Sequence, residues 1–222
     1  EYIDVFSPIL SKFDGLLAHY TQNSPNAVET SRDIRNLMPL HPATALLATF
    51  YAREAGSASR SVFEFLGDNK TIREFLDSEN IFLNRHTITA DYLWDYVVDE
   101  FNENVAKFGA VTERFNTYRA QIEDAGDVEY RVFKGILLLN ALNNIANHDD
   151  VTPSEENVLR LFEGTPFSHL VPTVLNLFDT RGYIQRAPGN IFSIQFTALP
   201  TKEIEDAKEQ LRTRDFKYIS QI

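Results

Sequence analysis

Few residues in this chain are able to do chemistry, and their spacing excludes most of what they could do. His19, His41, His86, His148 and His169 are scattered, none three or four positions from another. That spacing would set two imidazoles on one helix face as metal ligands. His148-Asp149-Asp150 could gather a hard cation. Its neighbours lack the glycine and terminal glutamate of a calcium loop, so the stretch reads as a solvated turn. Asp95 with Glu100, and Asp99 with Glu103, fall at ordinary spacings on helix faces and do not read as an acid/base pair. With no cysteine, disulfides, zinc-ribbon sites and thiolate nucleophiles are excluded. Neither Gly-x-Ser-x-Gly nor Gly-x-x-x-x-Gly-Lys-Ser/Thr occurs, so there is no nucleophile elbow and no loop to cradle a triphosphate.

What remains is guanidinium chemistry. Arg60 stands in Gly56-Ser57-Ala58-Ser59-Arg60-Ser61-Val62-Phe63-Glu64-Phe65-Leu66, in the first turn of a helix that Ser57 or Ser59 could cap. A cation there adds to the positive end of the helix dipole and offers a fork to phosphate oxygens. An arginine on a merely solvated first turn fits the same residues. Arg181 and Arg186 precede the turn tetrapeptide Ala187-Pro188-Gly189-Asn190 and are the candidate nucleic-acid contacts.

The elements that must position these side chains follow from periodicity. Ile3, Phe6, Ile9, Leu10, Phe13, Leu16 and Leu17 recur at helical steps. After a polar loop at Thr21–Ala27, weaker helical spacing runs over Val28–Met38. Pro42 suits the first turn of an apolar helix, Ala43–Ala55, and Gly56 ends it. Further helices are predicted with Val62–Leu66, over Ile72–Asn80, from Thr89 through Phe101, over Val111–Ile122 and over Val128–Asn144. Thr152-Pro153-Ser154-Glu155 reads as a helix start with Thr152 as the cap, and a third helix covers Ser168–Asp179. The period then falls to two around the Ala187–Asn190 turn, which predicts a β-hairpin. Lys202–Arg212 alternates charges at helical spacing and reads as an exposed helix.

Three helices followed by a hairpin is the order of a winged helix-turn-helix. The expected fold is therefore mainly α: a helical bundle at 1–126, a winged-helix domain at 127–200 with a small hairpin wing, and a tail helix or linker at 201–222.

Composition narrows the function further. The 222 residues include 21 Lys+Arg against 32 Asp+Glu, a formal charge of −11, which argues against a surface that wraps nucleic acid. From Asp127 to Pro200 five basic residues (Arg131, Lys134, Arg160, Arg181, Arg186) face eight acidic ones (Asp127, Glu129, Asp149, Asp150, Glu155, Glu156, Glu163, Asp179). The predicted third helix has neither Lys nor Arg. The longest apolar runs, Gly135–Leu139 and Ala45–Phe50, are too short to cross a bilayer, and no leader opens the chain. The expectation is a cytoplasmic protein without a membrane partner. The chain opens at Glu1 directly into an amphipathic pattern, without Met, which points to a piece of a longer polypeptide.

The Gly56–Leu66 segment, with Leu40-His41-Pro42-Ala43-Thr44-Ala45-Leu46-Leu47 before it and Asp91-Tyr92-Leu93-Trp94-Asp95-Tyr96 after it, resembles the helical lid and winged-helix half of AAA+ and STAND-type bacterial P-loop ATPases. Several of these sit in genome-defence clusters. The likeness covers about residues 35–200. It implies that Arg60 occupies the sensor position that reaches the terminal phosphate of ATP. ATP and Mg2+ would then belong to a parent ATPase, with no cofactor in this chain itself. The implied partner is an upstream P-loop domain that the lid packs over while the winged helix swings or docks between nucleotide states. This chain by itself carries no active site. Two other readings stay open: a winged-helix DNA-binding transcriptional regulator whose helical part dimerises or binds an effector, and an interaction scaffold. Oligomerisation is compatible with each.

Overall fold

The computed structural model describes residues 2–54, 62–68, 71–78 and 85–194. They are mainly helical, with one small antiparallel hairpin. Arg60 and the predicted tail helix at 202–212 lie outside these residues.

The chain opens with α1 (Tyr2–Phe6), a 3-10 segment at Ser7–Phe13 and α2 (Asp14–Thr21). The apolar spacing predicts one uninterrupted helix here. Pro8 breaks it, because proline has no N–H to give the preceding turn, and the backbone tightens into 3-10 geometry. The apolar face survives the change: Phe6, Phe13, Leu16 and Leu17 are all buried. Next come α3 (Ala27–Arg35), α4 (Pro42–Glu54), α5 (Val62–Leu66) and α6 (Ile72–Ser78). Asp68 holds the start of α6 by accepting from the Thr71 N–H at 2.7 Å and its hydroxyl at 2.8 Å.

Three long helices form the centre: α7 (Ala90–Glu103), α8 (Val105–Ala125) and α9 (Asp127–Ala146). Helix α8 starts six residues earlier than its apolar spacing predicts. Asn104 leaves the helical conformation between α7 and α8, and its carbonyl accepts from Phe108 at 3.0 Å, opening the new helix. Trp94 lies edge-on to Phe101 and Phe115, and Phe101 stacks on Phe108 at 4.1 Å between centroids. These aromatics therefore belong to the core. Their energetic share is large, since each ring removes up to about 200 Å² from water.

Helix α9 is apolar on nearly every side. Val132, Phe133, Ile136, Leu137, Leu138, Leu139, Ala141 and Leu142 are all fully buried. Such a helix has no solvent face to offer and must lie inside the molecule. It packs against α7 and α8 on one side, and against α4 and the C-terminal elements on the other. Gly126 separates α8 from α9, and one continuous cluster of buried side chains runs from Phe6 to Phe192 across that point.

Beyond α9, a 3-10 turn (Asp149–Val151) leads to α10 (Glu155–Leu161). Another (Ser168–Leu170) then enters α11 (Val171–Thr180). Ser154, not the expected Thr152, caps α10 by accepting from the Asn157 N–H at 3.2 Å. Pro153 and Ser154 are extended because they pair with the hairpin that follows. That hairpin is β1 (Gln185–Ala187) and β2 (Ile191–Ser193), with Arg186 opposite Phe192. Ser154 forms an antiparallel bridge to Ile191, the Phe192 N–H donates to the Pro153 carbonyl at 2.7 Å, and the Glu155 N–H donates to that of Asn190 at 2.9 Å. Asn140 of α9 fastens the hairpin from beneath, donating to the carbonyls of Ile136 and Phe192.

Gly164, between α10 and α11, has φ +77° and lies against Phe13, so an added Cβ would come within 2.7 Å of that ring. Gly164→Ala therefore combines backbone strain with overpacking and should cost about 1–3 kcal/mol, read from urea unfolding followed by Trp94 fluorescence.

Candidate functional site

The densest group of partly buried charge lies between α7 and α9. Arg131 of α9 places Nε 3.1 Å from Asp91 Oδ2, with side chains 18% and 6% exposed respectively. The attraction between them is chiefly coulombic. Arg131 Nη2 donates to the Thr89 hydroxyl at 2.9 Å, and that hydroxyl donates in turn to Asp91. The guanidinium carbon also sits 4.7 Å from the Phe167 ring centroid and 5.6 Å from that of Tyr92. Burial alone would lower the pKa of Arg131, but Asp91, Tyr92 and Asp127 outweigh it and hold the group firmly charged.

One turn further along α9, Lys134 donates to Asp95 at 2.8 Å while its ammonium lies 4.0 Å from the Tyr130 ring centroid. Burial pushes the Asp95 carboxyl up, and Lys134 pulls it part of the way back. The Asp91-Tyr92-Leu93-Trp94-Asp95-Tyr96 string thus supplies two carboxylates on one helix face to two cations spaced for them on the next. Sequence reasoning quoted that string only as a resemblance. The missed signal was its four-residue acidic spacing beside Arg131-x-x-Lys134.

A second connection centres on His41. Its imidazole is fully buried; Nδ1 accepts from the Ala43 N–H at 3.2 Å and Nε2–H donates to the Glu163 carbonyl at 2.8 Å. These two bonds fix the neutral tautomer and make His41 the side-chain cap of α4. Burial lowers its pKa from 6.5 to about 4, against the opposing pull of the Glu163 carbonyl. Phe13 meets the ring edge-on at 5.3 Å.

The other sequence-level candidates lie apart. Arg181 is exposed at the end of α11. Arg186 turns inward: its guanidinium donates to Glu155 at 2.7 Å and Asn176 at 3.1 Å, and lies over the Phe192 ring at 5.1 Å. Its backbone N–H donates to Asp179 Oδ1 at 3.2 Å. His148 caps the Asp149–Val151 turn by accepting from the Asp150 N–H, while Asp150 faces His19 Nε2 at 3.1 Å. Among the described residues no three acidic or imidazole groups converge to hold a metal ion. Asp95 meets Lys134 rather than Glu100, and Glu100 accepts from the Tyr51 hydroxyl. An open groove of about 430 Å³ between α2 and α3 is lined by Leu17, Ala18, Thr21, Val28 and Ser31, with the Asp14–Arg35 ion pair also on its wall. No helix among the described residues is long and apolar enough to cross a membrane.

No protein-family model matches this chain, and no curated protein or solved structure matches it significantly.

Two measurements check this electrostatic description. Asp95→Ala leaves the buried Lys134, its side chain only 10% exposed, without its carboxylate. Since the Asp95 side chain is 38% exposed, the loss should be about 1–3 kcal/mol in denaturant unfolding, and Asp95→Leu with Lys134→Met should recover most of it. For His41 the folded pKa of about 4 lies below the ordinary imidazole value of 6.5, so the unfolded chain takes up the proton first. The contribution is complete above pH 6.5, falls as the pH drops toward 4, and changes no further below that. The total is at most about 3 kcal/mol. Unfolding free energies of wild type and His41→Asn across that window should diverge in slope, with the variant flatter.

Proposed function

We propose that this chain is the lid and winged-helix regulatory portion of a larger P-loop ATPase, coupling the nucleotide state of a preceding catalytic domain to domain or partner contacts. The observation that carries the winged-helix part is the bridge between Ser154 and Ile191. It adds the extended segment between α9 and α10 to the outer edge of β2. Counted as a short strand, the bridged segment would give the order helix, strand, helix, helix, strand, strand, with the wing turn at Pro188-Gly189-Asn190. That order supports the winged-helix reading over a three-helix bundle with a separate hairpin.

Charge placement favours a regulatory or protein-contacting wing over a duplex reader. The helix that would enter a major groove, α11, has neither Lys nor Arg. Arg186 already spends its donors on Glu155 and Asn176. Phosphate-directed affinity requires several free cations on one face, and among the described residues of α11 and the hairpin Arg181 is the exposed one.

The ATPase part rests on the resemblance over residues 35–200; the chain departs from that family in having no phosphate loop, so a nucleotide site would have to receive one from another domain. The described residues do not themselves fit a triphosphate. The described arginine nearest in sequence to Gly56, Arg53, is engaged with Glu54 at 2.7 Å and lies over the Phe50 ring at 5.0 Å. ATP and Mg2+ therefore belong to the proposed upstream domain, and Arg60 is the residue assigned to reach them.

In the full-length protein, Arg60→Ala should lower ATP turnover by about tenfold or more, the usual effect of removing a phosphate-directed guanidinium. Unchanged turnover together with unchanged nucleotide affinity removes Arg60 from the mechanism, and a reading frame without a Walker loop removes the ATPase. Titration of this chain with duplex DNA at two salt concentrations should give weak binding with little salt slope. A steep slope would instead favour the transcriptional regulator.

A further inference from the structure

The turn between α10 and α11 is gripped from three separate directions by the helices that precede it. Gly164 packs on the Phe13 ring. The neighbouring Glu163 carbonyl accepts from the buried His41 imidazole at 2.8 Å. Phe167 lies under the Arg131 guanidinium at 4.7 Å, and that guanidinium is itself held by Asp91 and Thr89 at the start of α7. Phe167 also meets the fully buried Phe162 ring at 5.6 Å. The Ser168–Leu170 3-10 turn then leads into α11, with the Leu170 N–H donating to the Phe167 carbonyl at 2.9 Å. Three chemically different contacts therefore converge on six residues, Phe162 to Phe167, at the approach to α11, which also packs directly on α9 through Phe178 and Phe133.

We propose that this turn is a coupling element. It makes α11 and the hairpin follow the bundle as one body, so a displacement of α4 or α7 reaches the outer face of α11 without an intervening hinge. Arg131 is the positioning residue of the device: its planar cation is shared between a carboxylate on α7 and a ring on the turn, and both must move if either does. This deepens the regulatory reading above and rests on it only for what drives the displacement. The expected swing of the winged helix against the lid becomes a movement of both together. The pivot then lies outside the Phe162–Phe167 turn.

The chain's lack of cysteine makes the test direct. Asn102→Cys on α7 and Thr173→Cys on α11, both at exposed positions, give one spin-label pair across the turn. With Arg131 and Phe167 intact, the measured distance distribution should be a single narrow peak. Arg131→Ala, and independently Phe167→Ala, should abolish that peak in favour of a broad or displaced distribution, with far-UV circular dichroism unchanged. Arg131→Lys keeps the charge and loses the planar stack, so it should broaden the distribution in part and serves where the alanine variant does not fold. Arg32→Ala, on the exposed side of α3, should change nothing. A narrow, unshifted peak in the folded Arg131 and Phe167 variants overturns the coupling. No nucleotide enters the measurement, so that result stands whether or not a Walker loop precedes this chain, and the missing loop would leave the distances untouched.

Discussion

Helix α9 can occupy the middle of the molecule because its two inward cations find carboxylates waiting on α7. A helix apolar around almost its whole circumference gains by burial on every side. Arg131 and Lys134 would nonetheless forbid that position if either charge entered the interior alone, since an uncompensated buried charge costs several kcal/mol. Asp91 and Asp95 remove the prohibition. The observed setting of α9 against α7 is the one that brings both cations to these carboxylates.

That setting is passed outward. Gly135, next to Lys134, brings α9 so close to α10 that an added Cβ would stand 3.0 Å from Leu161 and Phe162. Phe162 begins the turn that Arg131, His41 and Phe13 hold. One turn of α9 beyond Ile136, Asn140 fixes the β2 strand through the Phe192 carbonyl. The orientation of the C-terminal elements follows from α9, and that of α9 follows from the two acid–base pairs.

Much of this architecture is legible in the residue order, and the parts that are not share a physical cause. Helix spans follow from three- and four-residue apolar spacing, which depends only on neighbours along the chain, and the hairpin follows from Pro188-Gly189-Asn190 between short alternating segments. Apart from the local breaks at Pro8 and Asn104, the failures are contacts over long separations. Thr152 looks like the better cap for α10, and Ser154 takes the role because Pro153 and Ser154 are drawn into pairing with Phe192 and Ile191. His41 looks like one more scattered imidazole until Glu163, 122 residues away, supplies its acceptor. Arg186 reads as a cation free for phosphate because Glu155 lies 31 positions earlier. Arg60, on which the nucleotide reading turns, lies outside the described residues, so its role rests on resemblance.

The hairpin has one more property, visible in what borders it. On the β2 side the main chain at Pro153 and Ser154 occupies the available hydrogen bonds. On the β1 side the Asp179 carboxylate takes the outward N–H of Arg186. Each flank of a two-stranded ribbon is ordinarily a template on which a stray strand from another molecule can add, beginning the growth of a fibril. Here the outward N–H groups of Phe192 and Arg186 are each already taken, and Pro188 at the tip can donate nothing. At high protein concentration the hairpin should resist seeding ordered aggregates.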